Sequence, residues 1–156
     1  GCLLLYGALG AGKTVLAQGV AEGLGIDPRE VQSPTFALLR EHELPGGEGA
    51  RLAHLDLYRL SPGEAAACGF EEVLLGPGVK IVEWAERLPF VVPGALALTL
   101  REAASGRREI AELDRQPEPA SDGDAGGLRP AGEGDPRRSE SGTLKPESWI
   151  HLPERK

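Results

Sequence analysis

A chain of 156 residues carrying 24 acidic against 17 basic side chains has a formal charge of −7 and reads as one domain, or a smaller domain with an appendage, without the basic face of a general nucleic-acid binder. No stretch approaches the roughly 18 apolar residues of a membrane span, and no basic segment leads into an apolar run as in a secretory signal, so the expectation is a soluble, cytoplasmic protein. Cys2 and Cys68 are too few and too far apart for a metal site and read as two small apolar side chains in a reduced protein. There is no methionine, and Gly1 leads straight into an apolar run, so the chain reads as a fragment or as starting late.

That first run, Cys2-Leu3-Leu4-Leu5-Tyr6, has the length and composition of a buried strand. Gly7-Ala8-Leu9-Gly10-Ala11-Gly12-Lys13-Thr14 follows it and fits the phosphate-loop pattern G-x-x-x-x-G-K-[ST]. Residues 15–24 then carry apolar side chains at helical spacing, and Gly25 is placed to end that helix. A strand, a glycine-rich loop and a helix in this order curl backbone N–H groups around a phosphate at a helix N-terminus. Leu9, Gly10, Ala11, Gly12, Lys13 and Thr14 are therefore the candidate phosphate binders, with Lys13 reaching the β- and γ-phosphates and the Thr14 hydroxyl available to Mg²⁺.

Ser33-Pro34-Thr35 reads as a polar loop, because Pro34 disfavours helix at Ser33. Residues 36–42 and 51–58 read as two strands joined by a glycine-rich hairpin loop. Ser61-Pro62-Gly63-Glu64 is a capping box with proline at the first helical position and opens a short helix; residues 71–75 form a second. Residues 79–84 are the next strand, and 95–100 with 107–113 a closing hairpin about Ser105-Gly106. The fold class is thus α/β over residues 1–113. From 114 to 156 the chain turns to proline, glycine and charge, with 9 of the acidic and 7 of the basic residues, and is expected to be disordered. The segment 148–153 is its one apolar patch and reads as a solvated end.

A nucleotide loop needs a carboxylate for Mg²⁺. Along 52–58, His54, Asp56 and Tyr58 share one strand face, and an aspartate among apolar strand residues needs something to compensate its charge. Magnesium would do so; an edge-strand aspartate paired with Arg59 is the alternative. Glu83 ends the run 79–82, where open α/β sheets place ligands, and fits a water-orienting or Mg²⁺-linked carboxylate; a helix-start carboxylate beside a core Trp84 is the alternative. Thr35 stands in a loop able to close over the γ-phosphate as switch loops do. Taken alone, His54 reads as a structural histidine.

Together, residues 7–14, Ser33-Pro34-Thr35-Phe36, His54-Leu55-Asp56-Leu57-Tyr58-Arg59-Leu60, Gly69-Phe70-Glu71-Glu72 and Val82-Glu83-Trp84-Ala85-Glu86 resemble the bacterial TsaE family, in order and spacing, across about residues 1–113. The loop is widely shared; the set is specific. The resemblance implies a compact P-loop α/β sheet with flanking helices and antiparallel hairpins. It implies an ATPase using ATP and Mg²⁺ in the synthesis of N6-threonylcarbamoyladenosine on tRNA. Its partners would be the threonylcarbamoyl-transferring subunit TsaD and its paralogue TsaB, with tRNA reached indirectly. By motif position it makes Lys13, Thr35 and Glu83 catalytic and links Thr14, Asp56 and Glu83 to the metal. Two departures stand out: Ala8 where the family often has aspartate, and the absence of a strand and helix ahead of the loop strand. A small-molecule kinase and a non-hydrolysing nucleotide-dependent scaffold remain as rivals, the kinase weakened by the lack of an arginine-rich insertion between Glu64 and Val79. A GTPase is disfavoured, because no N/T-K-x-D motif occurs.

Overall fold

A computed structural model describes residues 1–46 and 49–119 and the backbone of Trp149–Leu152. Strand β1 (Cys2–Tyr6) is central because it is apolar on both sides; Leu4 and Leu5 point to opposite faces and both are fully buried. β4 (Val79–Glu83) and β5 (Leu96–Glu102) flank it in parallel, and β3 (Arg51–Asp56) lies parallel outside β4. β2 (Leu39–Glu43) and β6 (Arg108–Glu112) add antiparallel strands on either side, and β7 (Trp149–Leu152) pairs with β6. The mixed sheet runs β2-β3-β4-β1-β5-β6-β7. Its register sets Leu5 beside Glu83 and Asp56 beside Glu83, so three parallel strands end level with one another.

Helices cover both faces. α1 (Lys13–Gly23) packs Ala17 and Ala21, one turn apart, with Leu5, Leu52 and Ile81; small side chains there let the helix lie close on the sheet. The opposite face, with Leu4, Leu55 and Val82, is covered by Phe70 and by Leu74 of α3 (Glu71–Leu75), together with Leu88 and Val92. α2 (Pro62–Ala67) begins on the expected capping box: Glu64 N–H donates to Ser61 Oγ, and Ser61 N–H donates to Glu64 Oε2. None of the described helices is long and apolar enough to cross a membrane.

Three expectations are corrected. The strand expected over 36–42 begins only at Leu39, because Leu38 N–H turns back to Pro34 O at 2.6 Å and Leu38 takes φ +65°. The strand expected over 51–58 ends at Asp56, which frees the next residues to turn across the site. In the stretch 114–156, expected to be disordered, Trp149–Leu152 pairs in register from Ala111↔Trp149 to Arg108↔Leu152 rather than standing free. Without it the outer edge of β6 would present unpaired N–H and C=O groups, which an extended segment satisfies. Residues 114–119 are also described, with Gln116 Oε1 accepting from Val92 N–H at 2.8 Å and its Nε2 donating to Val92 O, while 120–148 and 153–156 lie outside the described residues. Cys68, read as a small apolar side chain, is exposed, whereas the half-buried Cys2 thiol is pushed up to about 11 by burial.

Candidate functional site: a phosphate loop facing two carboxylates

The loop 7–12 leaves the C-terminal end of β1 and enters α1. Gly7 has φ +140°, and a Cβ there would stand 2.3 Å from Leu100 O, so β5 passes too close for any side chain. Gly12, at the helix N-cap, has φ +102° and no side-chain cap, which leaves the first-turn N–H groups of α1 without intrahelical acceptors. These groups face a cavity of about 370 Å³ lined by the loop, Ser33, Thr35, Asp56, Glu83 and Trp84. Of the sequence-derived candidates, Leu9, Gly10, Gly12, Lys13, Thr14, Thr35, Asp56 and Glu83 all line it; Ala11 instead turns into the core under α1.

Lys13 is folded onto its own loop. Its ammonium donates to Gly7 O at 2.6 Å and Ala8 O at 2.9 Å and lies 3.7 Å above the centre of the Trp84 ring. Burial lowers its pKa, opposed by the nearby carboxylates of Glu86, Glu83 and Asp56. Trp84 is therefore more than core filler: it packs in the core, adopts φ +60°, and holds the lysine on one side while Tyr58 leans on it with ring centroids 4.8 Å apart.

Asp56 takes up the loop that precedes β2. Its Oδ2 accepts from Thr35 Oγ1 at 2.7 Å and from Ser33 Oγ, its Oδ1 accepts from Tyr58 N–H at 2.9 Å, and its own N–H donates to Leu38 O. Arg59 is not its partner; the guanidinium lies 4.2 Å above Phe36, and β3 is an inner strand, not an edge. Glu83, 2% exposed, accepts from Thr14 Oγ1 at 2.8 Å through Oε2 and meets His54 Nε2 at 2.9 Å through Oε1. Two carboxylates and two loop hydroxyls thus converge beside the phosphate loop.

Hard oxygen donors of this kind suit magnesium, which takes one or two carboxylates and completes its shell with water and phosphate oxygens. A full protein cage is not required, and no cluster of three or more His, Cys, Asp or Glu side chains suited to a metal occurs among the described residues. Sequence reading named Ser33 and Glu86 only within longer motifs, without a role, and did not foresee the His54–Glu83 contact. Glu86 is a largely buried carboxyl whose Oε2 has no hydrogen-bond partner and whose pKa burial raises, against its own backbone N–H, Lys13 and Arg87. Each depends on which strands are neighbours, and only the same-face spacing of His54 and Asp56 hinted at it.

Comparison with known proteins converges on one family. The model of the family described as "Threonylcarbamoyl adenosine biosynthesis protein TsaE" matches residues 1–110. A Nostoc protein named tRNA threonylcarbamoyladenosine biosynthesis protein TsaE is 40% identical over 112 residues, covering 69% of this chain and 66% of that protein. Its Treponema pallidum namesake is 41% identical over 110 residues, covering 69% and 78%. The Bacillus subtilis protein of the same name is 41% identical over 112 residues, covering 69% and 66%. The chain thus spans just under two thirds of the Nostoc and Bacillus proteins.

Proposed function

The chain belongs to the TsaE family, and from that premise we propose that it is a magnesium-dependent ATP hydrolase serving threonylcarbamoyladenosine modification of tRNA. One observation carries the reading: the loop lysine and threonine, the Thr35–Asp56 pair and Glu83 come from four separate segments, yet all line one cavity. Loop N–H groups and the start of α1 receive the phosphates. Lys13 leaves the Gly7 and Ala8 carbonyls for the β- and γ-phosphates, exchanging two neutral acceptors for charged ones. Thr14 and Asp56 would hold magnesium, with Glu83 linked through water. Bound there, the metal supplies charge neutralisation on the phosphate oxygens. Thr35 swings from Asp56 toward the γ-phosphate, and Glu83 orients the attacking water. Catalysis is then positioning and charge compensation.

The rim supports a protein partner. Leu9 and Val15, which line the cavity, are exposed by 76% and 59%, and Phe36, next in the chain to the lining residue Thr35, by 85%; apolar groups gathered near a functional cleft suit a covering surface. We assign that surface to the TsaD–TsaB pair, with tRNA held by them, in keeping with a chain of charge −7. The test is phosphate release from ATP with and without the partner pair. Lys13→Ala and Glu83→Ala should each lower the partnered rate by at least about 100-fold; variant rates equal to wild type overturn the hydrolase reading, and nucleotide binding without any release supports the scaffold instead.

A further inference from the structure

Resting on that hydrolase reading, we propose that His54 is the positioning residue for Glu83, fixing the plane of its carboxylate so that one oxygen faces the reacting water. His54 is completely buried on β3, two residues before Asp56 and on the same sheet face. The register places Glu83 level with Asp56 and Ile81 level with His54, so the imidazole reaches diagonally to the next strand. Its Nε2 meets Oε1 at 2.9 Å while Thr14 Oγ1 holds Oε2 at 2.8 Å. One donor on each oxygen sets the rotation of a carboxylate that is otherwise broad about its last torsion.

The arrangement is asymmetric in a telling way. Nδ1 of His54 is buried with no hydrogen-bond partner. A histidine kept for packing alone would leave a polar atom stranded for no return, where a leucine of similar volume would leave none. The stranded atom is explained if Nε2–H is the group the site needs. When Thr14 turns its hydroxyl to the nucleotide, the contact of Glu83 with His54 stays in place. The histidine is not among the residues that line the cavity and acts through the glutamate.

The test compares His54→Gln, His54→Asn and His54→Leu in the full chain with its partners. Glutamine carries an N–H donor near the Nε2 position; asparagine is too short to reach, and leucine has no donor. Leucine and asparagine should lower kcat by about 10- to 100-fold, as loss of an orienting partner typically does, with KM for ATP and nucleotide Kd unchanged within about twofold; glutamine should restore kcat to within about fivefold of wild type. In a Glu83→Gln background the same substitutions should cost little more, since the group they act through is already gone. Independently of activity, ring ¹⁵N spectra of the nucleotide-free chain, assigned by the signals lost in His54→Gln, should show Nε2–H. A full kcat in both leucine and asparagine variants, a glutamine variant as slow as they are with wild-type nucleotide Kd, or an Nδ1–H tautomer overturns the assignment of His54. A wild-type chain that releases no phosphate with its partners overturns the hydrolase reading itself, and the tautomer measurement then still decides which atom of His54 faces Glu83.

Discussion

Glu83 is the residue at which stability and chemistry are most usefully separated. Its carboxylate is buried and accepts from Thr14 on one oxygen while meeting His54 on the other. In Glu83→Gln, the amide oxygen faces His54 Nε2–H, and the amide N–H₂ meets the Thr14 hydroxyl, which can turn to accept. Both contacts survive in neutral form, so the cost to folding should stay within about 1 kcal/mol. In Glu83→Ala, the Thr14 hydroxyl still opens on the cavity and finds water, but His54 Nε2–H is left buried without an acceptor. Stranding that donor and losing its charge-assisted bond should cost about 2–4 kcal/mol. With a urea slope of about 1.5 kcal/mol/M for a domain of this size, the midpoint falls by about 1–3 M for alanine and by well under 1 M for glutamine. Urea unfolding followed by circular dichroism without nucleotide measures this, and phosphate release should be lost in both. Equal destabilisation of the two variants, or an alanine variant as stable as wild type, would refute the reasoning from the two donors.

Gly7→Ala should destabilise by about 2–4 kcal/mol, combining a Cβ 2.3 Å from Leu100 O with a left-handed φ, and the loss should show in urea midpoints before any nucleotide is added; a midpoint within experimental error of wild type would mean that β5 can retreat. Burial raises the Glu86 carboxyl above its ordinary value of 4.5, so between that value and the raised one the folded state binds more protons than the unfolded state. The folded state is therefore favoured below this window and loses stability as pH climbs through it, and Glu86→Gln should flatten that decline; parallel urea profiles from pH 4.5 upward would count against it. Phe36→Ser removes an 85% exposed ring on which Arg59 stacks, so stability should hold within about 0.5 kcal/mol. Partner affinity, read by titration calorimetry, should drop at least about tenfold, and undiminished affinity would move the docking surface elsewhere.

Contiguous chemistry was the legible part. Strand, glycine loop and helix follow one another in the chain, and the turn at Gly12 is dictated within a few residues, so that order needed no tertiary knowledge; the closeness of Leu100 to Gly7 did. The capping box at Ser61 is local in the same sense. Element ends were read less well. At Leu38 an α-turn back to Pro34 overrides the strand pattern that Leu38, Leu39 and Arg40 share, because Asp56 and the Leu38 carbonyl need the turn to meet. Trp149–Leu152 was read as a free end because its partner, β6, lies 37 or more residues upstream and nothing local points to it.

The contacts that make the cavity specific were the hidden part, and they share one cause. His54 with Glu83, Ser33 and Thr35 with Asp56, and Lys13 over Trp84 each join segments that the sequence separates by 21 to 71 residues. What fixes them is the level ending of β1, β3 and β4, which no single strand shows by itself. Sliding β3 by one residue would turn Asp56 and His54 to the opposite face, leaving the loop intact but Ser33 and Thr35 without Asp56 and Glu83 without His54. The local sequence therefore accounts for the glycine loop and its turn into α1, and the parallel register accounts for the side chains brought up to it.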